Sequence, residues 1–323
     1  MISMRRLALH HLLRALILFG FALYILMLVR SEGILLYIAP RMLLYVKLSA
    51  LGLYLVSAYQ AYQGIKAWRG YAAACDCDHG PSPSFIKNSL IYSLFCLPLA
   101  LGFLLPDATM GSALASNKGM AISGSGSLKA NTAGTPSAAP DRETAPSGEA
   151  SAPSPEASSP AAGSGSAAAG EAELDKLFPY DKFTEHFARH AKKLYKQPVI
   201  RIPEDTYLET LTTLDLFTDS FAGKTIEIEG FVYRNEDMNN RQFVVGRFGI
   251  SCCAADAAPV GLLVQYDGSA SFPQDTWVRA TGTVIHTKYM DMDLIAVQAD
   301  TITAINAPKN QYVYPNYEFG QEP

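Results

Sequence analysis

"KTIEIEGFVYR", Lys224 to Arg234, alternates Ile226, Ile228, Gly230 and Val232 against Thr225, Glu227, Glu229 and Phe231. A period of two is the pattern of a strand with one face on a core and the other toward water. Four more runs downstream read as strands: "RQFVVGRFGISCC", "VGLLVQYDG", "DTWVRATGTVIHT" and "DLIAVQADTITAI". In the fourth of the five, Val278, Ala280, Gly282 and Val284 share one face. Gly230 and Gly282 occupy matching strand interiors, where glycine marks a bend or bulge. Five short strands with bent members predict a mainly β domain, an OB-like five-stranded barrel; an open sandwich is the alternative. Two short helices flank it upstream, Tyr180 to Gln197 with Phe183, Phe187 and Leu194 near one face, and Tyr207 to Phe217, followed by a turn at "FAGK". The domain is expected over residues 173–306, with a C-terminal tail over 307–323.

An OB-like barrel does not by itself mean nucleic-acid binding. That function needs a basic groove with exposed stacking aromatics. These strands carry Glu227, Glu229, Asp291, Asp293 and Asp300, and the whole chain has net charge −4. No nucleic-acid partner is expected.

The N-terminal third reads differently. "LALHHLLRALILFGFALYILMLV", Leu7 to Val29, has Arg14 as its one charge. Its length matches the roughly 20 residues that span a bilayer core, and Arg14, near the start, can snorkel to the headgroups. No small-residue cleavage site follows it, which argues against a signal peptide. A second span is expected over 42–62, with Ile34 to Ala39 interfacial and Tyr54, Tyr59 and Tyr62 approaching the far interface. A third is expected over 89–106, with Pro98 and Cys96 inside it. These three spans make residues 1–110 a transmembrane domain. Arg5, Arg6, Arg14, Lys66, Arg69 and Lys87 on one side outnumber Arg30, Arg41 and Lys47 on the other. This bias favours a cytoplasmic N-terminus, and three crossings then put everything after Pro106 outside the cytoplasm.

Residues 111–172 form a linker rich in Ala, Ser, Gly and Pro. No aromatic residue lies between Phe103 and Phe178, so the segment cannot offset chain entropy by burial and is expected to be disordered. Some 60 residues of coil span about 40 Å, which would make the β domain a tethered body.

Two clusters carry candidate chemistry. The first is "RFGISCCAADAAPVG", with Cys252 and Cys253 adjacent and Asp256 close behind. On a regular strand the two thiols would point to opposite faces, so a shared site needs a turn, which "AADAAPVG" can supply. Asp256 is then an oxygen ligand or a supporting group. His286, Met290 and Met292 could join only if the barrel brings them near. The second cluster is "CDCDHG", with Cys75, Cys77 and His79 on the loop between the second and third spans. Thiolate and imidazole together favour zinc or another soft metal. Both clusters also read as ordinary residues without a ligand. His186 and His190, four apart on one helix face, read as a polar face. The residues leave open a stand-alone envelope metal-binding or sensing protein and an extracellular thiol-dependent enzyme. No Ser/His/Asp order, phosphate-binding loop or HExxH argues for hydrolysis or nucleotide use.

The three spans, the Cys/His-rich loop, "PLALGFLLP", "GKTIEIEGFVYR" and above all "RFGISCCAADAAPVGLLV" resemble the YcgQ-like family of bacterial membrane proteins. The shared signature is Cys252, Cys253, Ala254, Asp256 and Ala257; Arg247 and Phe248, which open the same stretch, are structural motif residues with Gly230 and Gly282. The resemblance covers Leu7 to about Lys118 and Asp181 to about Ile305; the Ala/Ser/Pro linker and the "YVYPNYEF" tail look peculiar to this chain. It implies an accessory, non-catalytic subunit of a permease complex, with a multi-span permease subunit and the lipid bilayer as partners. It assigns no catalytic residues and no substrate.

Overall fold

The computed structural model describes residues 2–70, 84–122, 166–289 and 292–321. The chain forms two compact units, Met1–Met110 with Ile250–Ala257, and Gly111–Gly249 with Ala258–Pro323.

The first unit holds α1 (Ile2–Arg30), α2 (Leu43–Trp68) and α3 (Phe85–Leu104). Three stretches, Leu7–Arg30, Pro40–Trp68 and Ile86–Leu104, are long and apolar enough to cross a membrane. None of the three helices contains Asp or Glu. Their few polar groups find each other, as groups facing lipid must: Ser57 Oγ donates to the Ala15 carbonyl at 2.8 Å, His11 Nδ1 lies 2.7 Å from Gln60 Oε1, and His10 Nδ1 lies 2.8 Å from Tyr92 Oη. The connection between α1 and α2 contains the 3₁₀ turns Gly33–Leu36, which overlaps the expected interfacial stretch Ile34 to Ala39, and Pro40–Met42, which follows it. Proline suits the first position of the second turn because it needs no partner for an amide hydrogen there. Tyr37 Oη donates to Asp107 Oδ1 at 2.7 Å. The α1–α2 connection and the chain leaving α3 therefore lie at the same end of this unit.

The second unit is a closed five-stranded barrel with flanking helices. Its strands are β1 (Thr225–Tyr233), β2 (Gln242–Gly249), β3 (Ala258–Gln265), β4 (Trp277–Tyr289) and β5 (Met292–Ala304). Antiparallel pairing joins β1 to β2 and β4, β2 to β3, and β4 to β5. Parallel pairing of β3 with β5, Leu263 opposite Ala296, closes the ring. This ring β1-β2-β3-β5-β4 is that of the expected OB-like fold rather than an open sandwich. The alternating side chains fill it: Ile226, Ile228, Val232, Val278, Ala280 and Val284 are all buried. Gly282 sits at a bulge in the β4–β5 ladder, and a Cβ there would lie 2.1 Å from the Gln298 carbonyl oxygen. Only glycine lets the two backbones approach that closely.

Short strands supplement this ring. Ile200–Arg201 runs parallel to β1, Ala121–Ile122 parallel to β3, and Tyr312–Val313 parallel to β2 at Phe248–Gly249. The last two differ from expectation. Within the expected linker, α4 (Ser112–Lys118) is a helix whose start is held by Asp275: the Ser112 N–H donates to Oδ1 at 2.6 Å and Ser112 Oγ to Oδ2 at 2.7 Å. Residues 111–122 thus belong to the barrel's own unit, and α5 (Ser166–Leu177) follows the remaining residues, 123–165, which lie outside the described residues. The C-terminal stretch is likewise built in: Tyr312 and Val313 are buried, and Phe319 packs on His186, Phe187 and His190.

The flanking helices are α6 (Glu185–Tyr195) and α7 (Tyr207–Leu216). α6 starts later than its apolar pattern suggests. Asp181 Oδ1 accepts from the Phe183 and Thr184 amides at 2.9 and 2.8 Å, turning the chain there and leaving Phe183 exposed. The buried face is Ala188, Ala191 and Leu194, and it joins Phe178, Leu211, Leu214 and the barrel residues in one core.

Candidate functional site

β2 ends at Gly249, and the next eight residues, Ile250–Ala257, belong to the helical unit. The regular strand that would splay the two thiols is therefore interrupted. Ser251 and Cys252 bend, and Ala254–Asp256 forms a 3₁₀ turn. Asp256 closes it from its side chain: Oδ1 accepts from the Ser251 amide at 3.0 Å and Oδ2 from the Cys252 amide at 2.7 Å. A short carboxylate bonding to nearby backbone amides is what makes Asp a turn residue. Asp256 thus acts as the clasp of the turn.

The turn leans on the α1–α2 connection. The Ala39 amide donates to the Cys252 carbonyl at 3.0 Å, the Ala254 amide to the Tyr37 carbonyl at 2.7 Å, and Arg41 Nε to the Ser251 carbonyl at 2.9 Å. Ile38 and Cys253 form an isolated antiparallel bridge. Sequence reading missed these partners. Tyr37 to Arg41 has no strand periodicity, and pairing of two residues more than 200 positions apart leaves no local signal; Arg41 beside Pro40, a charge at a span edge, is the one hint.

In this turn both thiols are partly exposed and free, with Cys252 Sγ 3.5 Å from Cys253 Sγ. The hydrogen bond to Asp256 and the neighbouring Cys253 push the Cys252 thiol up to about 11. Burial would raise Asp256, but the hydrogen bonds from Cys252 and the backbone outweigh it and hold its carboxyl below the ordinary range. At neutral pH the site is a carboxylate beside a protonated thiol. Such a thiol is a weak nucleophile and becomes a good ligand only when a metal displaces its proton.

The other candidates are elsewhere. Cys75, Cys77 and His79 lie outside the described residues, as do Met290 and the side chain of Met292. His286 Nε2 faces Asp219 Oδ1 at 3.3 Å. His190 Nε2 lies 3.0 Å from Thr210 Oγ1, so the two-histidine face is used in packing and hydrogen bonding. Cys96 is an exposed residue of α3. Among the described residues no three of His, Cys, Asp and Glu form a group able to hold a metal ion.

Arg247 and Phe248 support the barrel. Arg247 is buried, with Nη2 bonded to Glu204 Oε1 at 2.8 Å and to the Asn310 carbonyl at 2.5 Å, and its guanidinium faces the Tyr207 and Trp277 rings. Phe248 stacks on Phe231 with centroids 5.5 Å apart. Gly230 meets the backbone of Gly246 on β2. The β1–β2 connection borders an open cleft of about 910 Å³ with Met120, Tyr233, Glu236, Asp237 and Tyr289. Its charged lining is Glu236 and Asp237 with Arg234, whose guanidinium donates to the carbonyls of Phe272 and Ser269.

Comparison with known proteins places this architecture. UPF0703 protein YcgQ of Bacillus subtilis is 26% identical over 235 residues, 72% of this chain and 71% of that one. A Streptococcus mutans protein, provisionally named a two-component membrane permease complex subunit, is 31% identical over 125 residues, 38% of this chain and 45% of that protein. The DUF1980 N-terminal domain matches residues 13–121 and the DUF1980 C-terminal domain residues 177–315. Residue 121 is the first of the short strand on β3 and residue 315 lies just beyond the one on β2, so both matches include part of the expected linker and tail. With both domains present in order over more than half of its length, this membrane protein belongs to the DUF1980 family.

Proposed function

We propose that this chain is a non-catalytic accessory subunit of a bacterial membrane permease complex, with its barrel outside the cytoplasm. The observation that carries the reading is the kinship with the Streptococcus mutans protein named for such a complex. The helical unit supports it. α3 has little cover from α1 and α2, with Leu90 and Leu94 each 70% exposed, a face suited to lipid or to the helices of a larger permease. The Tyr37–Asp107 bond supports an odd number of crossings, because the α1–α2 connection and the exit from α3 then share a side. The charge bias makes that side the exterior. In this reading Cys252 and Cys253 stand at the same end, where they offer the transport path two thiols for a metal or another soft ligand.

The test is affinity capture of the tagged chain from native membranes after mild crosslinking, followed by protein identification. A multi-span membrane protein in near-equal amount is the expected outcome; a monodisperse chain alone would sink the subunit role. Sidedness is checked with a cysteine introduced between residues 123 and 165 in a cysteine-free background. An impermeant thiol reagent should label it in intact cells.

A further inference from the structure

We propose that Cys252 and Cys253 form a two-thiolate chelate for a tetrahedral soft ion of the zinc class, and that their spacing disfavours an ion that takes two thiolates in a line. The inference deepens the role of the thiol pair given above and rests on that reading for its biological setting, not for its chemistry.

Geometry carries it. A zinc–sulfur bond is about 2.3 Å, so two thiolates on a tetrahedral zinc stand about 3.8 Å apart, whereas a linear two-coordinate ion at the same bond length would need about 4.6 Å. The observed separation is 3.5 Å. Tetrahedral binding asks for a few tenths of an ångström, within reach of small side-chain rotations. Linear binding asks for more than an ångström, from side chains on neighbouring residues whose backbone is held. That backbone is fixed on both sides: the Cys252 amide bonds to Asp256, its carbonyl accepts from Ala39, and the Ala254 amide bonds to Tyr37. These bonds pre-set the bite before any ion arrives. The charged neighbours are Asp256, which lowers the cost of bringing a cation in, and Arg41, whose Nε is engaged with the Ser251 carbonyl.

As each metal–sulfur bond forms, the thiol releases its proton to solvent and the sulfur keeps the electron pair, so no oxidant or reductant is involved. Two thiolates occupy two of four positions. A structural zinc site fills all four from protein; here the other two are left for water or for donors on a partner, which suits an ion that is passed on.

The probe is zinc(II) alone, added to the full chain in detergent under reducing conditions at neutral pH. The background carries Cys75→Ser, Cys77→Ser and His79→Ala, so that the other cysteine-rich cluster does not contribute. The expected result is one zinc per chain in competition with a chromogenic chelator. X-ray absorption should find two sulfur scatterers near the zinc and oxygen or nitrogen for the rest. Cys252→Ser or Cys253→Ser should weaken binding at least tenfold, and Cys96→Ser should leave it unchanged. If a serine variant misfolds, the unsubstituted thiols answer instead: zinc should slow alkylation of Cys252 and Cys253, read by peptide mass, and leave Cys96 unaffected. No zinc bound by the background, equal binding by the Cys252→Ser/Cys253→Ser double variant, or unprotected thiols would each overturn the proposal. A chain that binds zinc but captures no partner would defeat the subunit role alone, and the reverse result would defeat the chelate alone.

Discussion

Leu94 of α3 is 70% exposed, whereas Leu262 of β3 is 1% exposed. The side chain is the same, and the contrast repeats along both units. In the barrel, apolar residues find cover within the chain, from the opposite wall and from α6 and α7. In the helices they point outward, as at Leu44, Leu51 and Leu90. Apolar burial drives folding only where water is the alternative. The barrel is stabilised by its own packing. The helices depend on lipid or on another protein to cover what they expose, so the two units should respond to mutation by different rules.

The widest gap should appear at glycines. Gly282→Val drives side-chain atoms into the β5 backbone and should destabilise the barrel by about 4 kcal/mol. Gly52→Val in α2, where a Cβ meets nothing within 4 Å, should leave thermal unfolding of the detergent-solubilised chain nearly unchanged. Equal loss at both positions would break the contrast. Next comes the buried charge. Arg247→Ala leaves the Asn310 and Gln311 carbonyls without their donor and should cost about 3 kcal/mol, read as a lower denaturant midpoint. In the helices a charge acts through insertion instead. Leu94→Lys should disfavour α3 as a span by about 2.5–3 kcal/mol in a membrane-insertion reporter. Leu216→Lys on the exposed side of α7 should change stability by less than about 0.5 kcal/mol.

The remaining effect is a pH dependence in the barrel unit. Burial raises the Glu209 carboxyl, against the lowering effect of the Asn316 amide that donates to it. The folded state therefore holds this proton more tightly than the unfolded chain does. Stability falls as pH rises from the ordinary carboxylate range through the raised value, and the loss persists above it. Glu209→Gln keeps an acceptor for Asn316 and removes the charge. It should flatten that slope, seen as a smaller drop in Tm between acid and neutral buffer. An unchanged slope would point to another group.

What was legible in the sequence follows the same division. The helices showed because lipid demands long uncharged runs, and α2 differs mainly in continuing past Tyr62 to Trp68. The barrel strands showed because one-sided burial imposes a period of two, and Gly282 showed because a bulge needs it. The chain's long-range economy was hidden. Ala121–Ile122 and Tyr312–Val313 are two-residue strands, too short to carry any period, and they exist only because β3 and β2 offer unpaired backbone beside them. Phe183 looked like part of a buried helix face because the pattern cannot see Asp181 turning the chain. The Cys252–Cys253 turn was anticipated from its small residues, but its support from Tyr37 to Arg41 was not, since that support is backbone pairing and makes no demand on side-chain type.

The clasp between Ser112 and Asp275 has a practical consequence. The described residues on either side of 123–165, the strand Ala121–Ile122 and α5, both belong to the second unit. A chain cut anywhere within 123–165 should therefore keep its barrel, and the two fragments should migrate together until denatured.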